Sequence, residues 1–264
     1  MSLYKKNKEL IIIISILLIM VVINFWIGVQ SIPKDYFDKM SGFSLWQYSL
    51  QYNLGTVLLL LSPQLIAIAT VFPLYRKLKT GFIQNVAVRT QYKKYMKKEI
   101  FISYFKSLFV LPMISLLILL VGILLFGTKV NYETTSLLNF SAKNPILFVT
   151  LVTIGLILYG ILSINLTLIL ARYINKFYLV LISLFLAIFF WGYIEGNFIY
   201  AFISTITSDA IHIRSSYFDL YFPSLSEINW IEIYGLGIIR ILISTVLVYV
   251  LYHNEEKVLL DYEE

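Results

Sequence analysis

Three patterns in this sequence have spacings at which side chains could do chemistry. The run Gly122-Ile-Leu-Leu-Phe-Gly127-Thr128-Lys129 has the glycine spacing of a phosphate-binding loop, where backbone N–H groups cradle phosphates and a Lys followed by Ser or Thr completes the site. Here Thr precedes Lys, and the glycines interrupt an apolar run instead of joining a strand to a helix. Ser31 to Lys34 and Ser103 to Lys106 have the Ser-x-x-Lys spacing of acyl-transfer nucleophiles, without the companion motifs such enzymes need. His212 and His253 are the two histidines and stand far apart, so they form no zinc pair. The chain has no cysteine, which excludes disulfides, thiolate metal sites and a cysteine nucleophile. The sequence offers no catalytic, cofactor-binding or metal-ligating constellation, and it is not read as an enzyme.

The elements that would have to position any such group are apolar. Of 264 residues, 59% are hydrophobic and 14% charged, against roughly 45–50% and about 25% in soluble domains. Apolar runs of about 18 or more residues read as membrane-spanning helices. The runs predict an all-α membrane protein with six spans, at about 10–29, 53–72, 107–126, 146–170, 177–194 and 234–252, with Pro63 kinking the second. The first run continues into Gly28-Val29-Gln30-Ser31-Ile32-Pro33 with no small-residue cleavage pattern, which reads as an uncleaved span. An even number of spans puts both termini on one side. Segments 1–9, 73–106, 171–176 and 253–264 hold 15 of the 21 Lys and Arg, so by the positive-inside rule they are cytoplasmic. The net charge of +6 is then a consequence of orientation and no sign of a nucleic-acid partner.

The connection 195–233 is expected outside. It carries Glu195, Asp209, Asp219, Glu227 and Glu232 against Arg214, and its stretches Phe198 to Ile203 and Ile211 to Ile213 predict short interfacial or re-entrant helices. Trp26, Trp46, Trp191 and Trp230 fall near outer boundaries and fit an aromatic belt. At depth lie Asn24, Gln64 and Asn165, read as interhelical hydrogen bonds worth about 0.6 kcal/mol each or as pathway-lining groups. Arg240, about five residues into the last span, is expected to pair with Glu232 or to snorkel toward the outer headgroups, with a pathway role as the rarer alternative. There is no intramembrane carboxylate pair for proton coupling and no inverted repeat of the secondary-transporter kind.

The basic stretch 74–106 holds nine of the 21 cationic residues. Phe82, Ile83, Val86 and Ala87 recur at helical spacing, with Thr80 placed to cap that helix, and Tyr92, Tyr95 and Met96 interleave with paired lysines up to the membrane. One reading is a juxtamembrane segment held against anionic lipid. The order Arg76, Gly81, Phe82 to Val88, Arg89, Tyr92, Tyr95, Lys98 resembles the first cytoplasmic loop in permeases of type-2 ATP-binding-cassette exporters, of the small peptide- and drug-exporting kind found in Gram-positive bacteria. The six-span layout with a long outer connection before the last span is similar to that family too. The family places an amphipathic interfacial helix ahead of the first span, where this sequence has only nine residues.

The resemblance implies that Gly81, Phe82, Ile83, Asn85, Val86 and Arg89 form a coupling helix on a separate cytosolic ATPase subunit, which binds Mg-ATP, so that this chain needs no cofactor. It implies a second permease copy or homologue, a bacterial plasma-membrane location in contact with lipid, and an amphipathic peptide, bacteriocin or lipid-like drug as cargo. The alternative from another class is a membrane-embedded immunity or sensor protein that binds a toxic peptide through the acidic connection without transport.

Overall fold

The computed structural model describes residues 8–31, 41–51, 54–80, 82, 91–128, 145–194, 198, 202, 205–206, 220 and 230–253. The regular elements among them are all helical: α1 (Lys8–Ser31), α2 (Gly42–Gln51), α3 (Leu54–Thr70), α4 (Phe72–Lys79), α5 (Tyr92–Phe126), α6 (Pro145–Tyr173), α7 (Phe177–Ile194) and α8 (Trp230–His253). Helix is the answer for apolar runs in a bilayer, because it satisfies every backbone polar group within the segment. Three helices are long and apolar enough to cross a membrane: Tyr92–Phe126, Ile146–Tyr173 and Glu232–His253. A fourth is reached if α3 and α4, bent by 49°, count as one span. Ile11–Ile27 and Phe177–Trp191 are shorter apolar helices. These helices suggest a membrane protein, and the large apolar side chains they expose, such as Leu124, Leu125, Leu242 and Val246, fit a lipid surround.

Four local expectations are sharpened or changed. The bend in the second apolar segment is at Val71, not at Pro63, which sits inside the continuous helix α3. The physical cause is Pro73, at the start of α4: it has no N–H to continue the ladder and its ring crowds the preceding turn. The Thr70 carbonyl at the bend accepts a hydrogen bond from the Ser103 hydroxyl at 3.0 Å. The helix that carries the third apolar run begins well before Ser107. α5 starts at Tyr92 and runs 35 residues, about 52 Å, so the lysine-rich second piece of the basic loop forms its first turns. Thr80 ends α4, its hydroxyl donating to the Arg76 carbonyl at 2.9 Å; the helix expected after it lies, apart from Phe82, outside the described residues.

The fourth change concerns Trp46, which lies in the unforeseen helix α2 and is fully buried. Its indole N–H donates to Ser115 Oγ at 3.0 Å, and its ring meets Phe148 edge-on at 5.8 Å. A tryptophan whose one donor is satisfied inside the bundle has no need of the interface. Trp26 and Trp191 are exposed, as a belt requires. Of the expected outer helices, Phe198, Phe202, Thr205 and Ile206 have helical backbone and are exposed; Ile211 to Ile213 lie outside the described residues.

α2 is held against the end of α5 by a glycine contact. A Cβ at Gly42 would lie 2.3 Å from the Ile123 nitrogen, and one at Gly122 would lie 2.8 Å from the Gly42 carbonyl oxygen. The Gly42 N–H donates to the Gly127 carbonyl at 3.0 Å, and Gly127 closes α5 with φ +73°, a conformation that favours glycine. The two glycines that mimic a phosphate loop are thus a packing contact and a helix end. Small residues at helix contacts are the membrane solution to close backbone approach. Gly42→Ala is expected to destabilise the fold by about 1–3 kcal/mol through overpacking. Gly235→Ala, where the new methyl meets nothing within 4 Å, should be neutral or mildly stabilising. Equal unfolding midpoints of the two variants in detergent would overturn the packing account.

Candidate functional site

Two regions hold the sequence-predicted residues: a polar layer within the bundle and a basic end. α6 is the element common to the polar layer, with α3, α5, α7 and α8 all packed around it. Asn165 is fully buried on α6. Its amide nitrogen donates to Ser244 Oγ at 2.8 Å and Thr245 Oγ1 at 2.9 Å on α8. Its amide oxygen accepts from the Tyr104 hydroxyl on α5. One side chain therefore links three helices. Asn24 on α1 is also fully buried and donates to the Ser49 carbonyl of α2 at 2.6 Å.

Gln64 departs from the interhelical expectation. With its amide turned to donate, it bonds the Leu60 carbonyl at 2.7 Å and the Leu61 carbonyl at 2.9 Å within its own helix. Those carbonyls lie next to Pro63, where the regular helix ladder is interrupted. Arg240 is half-buried on α8, with Nη1 enclosed. The bonds of Asn24 go to α2, those of Gln64 to its own helix and those of Asn165 to α5 and α8. The groove between α1 and α5, of about 210 Å³, is lined by apolar side chains including Val21, Phe25, Ile114 and Ile118.

Tyrosine hydroxyls tie the bundle further. Tyr159 donates to the Leu59 carbonyl at 2.7 Å, and Tyr252 to the Leu168 carbonyl at 3.0 Å. Tyr234 donates to the Leu151 carbonyl. Sequence reading assigned the tyrosines as a group to interfacial belts and missed these. Their positions inside apolar runs, facing α6 or on it, were the available signal.

At the other region, the end of α4, the start of α5, the α6–α7 turn and the end of α8 come together. Lys77 pairs with Glu99 at 2.7 Å and lies 5.8 Å from the centre of the Tyr95 ring. Lys79 donates to Asn175 Oδ1 at 2.7 Å, and the Tyr75 hydroxyl donates to the Asn175 carbonyl. Phe177 packs on Phe72 and Tyr75, with ring centres at 4.8 and 5.2 Å. Lys93 Nζ lies 3.3 Å from His253 Nε2. Burial lowers the Lys79 ammonium from its ordinary value. Burial, followed by the Glu99 carboxylate, pushes the Tyr95 phenol up. Segments 73–106, 171–176 and 253–264, assigned to one side by charge, thus have described parts that meet at one end.

Of the six expected coupling residues, Phe82 is helical and 46% exposed. Gly81, Ile83, Asn85, Val86 and Arg89 lie outside the described residues. Among the described residues no group of His, Asp and Glu could hold a metal ion. No protein family, no curated protein and no solved structure matches this chain.

Asn165→Ala removes three interhelical bonds, including the one from the Tyr104 hydroxyl. At about 0.6 kcal/mol per bond, the loss is expected to be about 2 kcal/mol. Lys77→Ala, at a partly solvated ion pair, should cost under about 1 kcal/mol. Unfolding of both variants by SDS titration checks the ranking, and an Asn165→Ala loss no larger than that of Lys77→Ala would refute the hub role.

Proposed function

We propose that the chain is a six-span permease subunit of an ATP-binding-cassette exporter in a bacterial plasma membrane, with both ends and the basic end of the bundle cytoplasmic. The observation that carries the reading is the way residues 81–90 are flanked. α4 and α5, which bracket this segment, are tied to each other by Lys77–Glu99, and the Ser103 hydroxyl of α5 bonds the Thr70 carbonyl at the end of α3, just before α4. Phe82 at the start of the segment exposes its ring. A short segment with Phe82, Ile83 and Val86 at helical spacing, connecting two helices, suits a groove on a partner, and the surrounding cations suit an acidic rim.

In this reading the partner is a cytosolic ATPase that binds and hydrolyses Mg-ATP. Its closure pushes on residues 81–90, and α5 carries the displacement inward as one 35-residue lever. A second permease copy or homologue completes the pathway, and an amphipathic peptide, bacteriocin or lipid-like drug is the cargo; that choice rests on the resemblance alone. The polar ties of α6 to α5 and α8 through Asn165 make those three helices a unit that moves together.

Cross-linked membranes from the native cell should yield a phosphate-loop ATPase with the wild-type chain, and Phe82→Asp combined with Val86→Asp should abolish that association while leaving the chain in the membrane. Unchanged co-purification in the double variant, or no such ATPase with the wild type, sinks the proposal. Orientation is checked separately. The chain has no cysteine, so single replacements Lys97→Cys and Lys176→Cys should react with an impermeant maleimide only after the cells are opened. Labelling in intact cells would reverse the topology.

A further inference from the structure

We infer that one face of α5 holds an anionic phospholipid of the surrounding bilayer, with Lys94, Lys97 and Lys98 on the headgroup phosphate and the Phe101 and Phe105 rings along the acyl chains. All five side chains are exposed. Residues 94, 97, 98, 101 and 105 follow the i, i+3, i+4, i+7, i+11 spacing that puts side chains on one helix face, an arc of about 100° at 3.6 residues per turn. Lys93 falls at the edge of this face, and its ammonium lies 3.3 Å from His253 Nε2 on α8. The other three lysines have no carboxylate partner among the described residues; Glu99, the nearest acid along α5, lies on another side of the helix and pairs with Lys77. Lys106 is off the face and half-buried.

Depth decides the occupant. On α5, large apolar side chains are exposed from Phe101 to Leu125, about 36 Å of helix axis, which covers a hydrocarbon core of roughly 30 Å at an ordinary tilt. Phe101 therefore marks the hydrocarbon boundary. Lys98, Lys97 and Lys94 stand about 4.5, 6 and 10 Å beyond it along the axis. The headgroup layer is about 5–8 Å deep, so the flexible lysine stems place their ammonium groups within or beside it. The Phe105 ring, packed on Phe109 at 5.1 Å, continues the face into the acyl layer. A phospholipid presents the matching order along its length, a negative phosphate joined to apolar chains. An acidic protein surface arriving from the aqueous side would match the lysines and leave the two phenyl rings without a counterpart. Each lysine near an anionic surface is worth roughly a fivefold preference, reduced by salt. A bound headgroup neutralises part of the charge beside residues 81–90, so lipid composition would set how much of it an approaching partner meets. The inference rests on α5 crossing a membrane and does not depend on the permease reading.

The chain has no cysteine, so a bimane on Phe105→Cys, its ring in place of the phenyl, reports the lipids at this face of the full chain in phosphatidylcholine nanodiscs. At equal mole fraction, nitroxide-labelled phosphatidylglycerol is expected to quench it several-fold more than nitroxide-labelled phosphatidylcholine, with the excess reduced at roughly 1 M salt, where the screening length is about 3 Å. Lys94→Gln, Lys97→Gln and Lys98→Gln together should abolish the excess and leave quenching by phosphatidylcholine unchanged, which shows that the helix still sits in the bilayer; Lys94→Arg, Lys97→Arg and Lys98→Arg should keep it. The site is overturned by equal quenching by the two lipids in the wild-type chain, by an excess that survives the Gln variant, or by an equal loss when Lys5→Gln, Lys6→Gln and Lys8→Gln are made instead. Capture of poly-glutamate by the wild-type chain but not by the Gln variant, without any phosphatidylglycerol excess, assigns the lysines to an acidic protein surface and equally overturns it.

Discussion

Everything else in this bundle is arranged around the need to satisfy polar groups where no water can do so. In a lipid environment an unmet donor or acceptor is costly, and the chain answers with short side chains aimed at neighbouring helices. Asn165 is the densest instance, accepting from α5 and donating twice to α8. Tyr159, Tyr234 and Tyr252 extend the same device along α6, each reaching or leaving it through a carbonyl. Bonds of this kind fix rotation and depth more than they add attraction, because one amide and two hydroxyls meet in only one register.

Close packing supplies the complementary constraint. Lipid tails are as apolar as leucine, so helices gain by approaching closely, and approach is limited by side-chain size. Gly42 against Gly122 brings α2 onto the end of α5, which lets Trp46 enter the core and find Ser115. A second glycine notch receives Leu220, which is fully buried, with its carbonyl oxygen 2.5 Å from where a Cβ of Gly155 would be and its side chain 2.7 Å from that of Gly237. Glycine at these positions makes room for a neighbour's backbone or side chain; among the described glycines, only Gly127 serves a positive φ.

At the basic end the electrostatics divide in two. Lys77 and Lys79 are committed to Glu99 and Asn175 and hold α4 against α5 and the α6–α7 turn. The lysines from 93 to 98 face outward. The first group is architecture, and the second is available charge. In the proposed permease the distinction matters, because a segment docked between α4 and α5 would transmit force only if its flanks are rigid, and would be steered only if some of the charge beside it stays unspent.

The sequence by itself determined the class of solvent, the helical state of the apolar runs and the sorting of charge toward one end, because these follow from composition and periodicity summed over about 20 residues at a time. It also identified Asn24 and Asn165 as polar groups needing partners, since a lone amide in an apolar run has few other uses. It could not say that Gln64 turns to its own helix, that the bend belongs to Pro73 and not to Pro63, or that Trp46 is core. The last two depend on which neighbour stands opposite: a Ser103 hydroxyl for the bent turn and a Ser115 hydroxyl for the indole. Such partners are separated by tens of residues in the chain, and only the tertiary structure brings them within hydrogen-bonding reach.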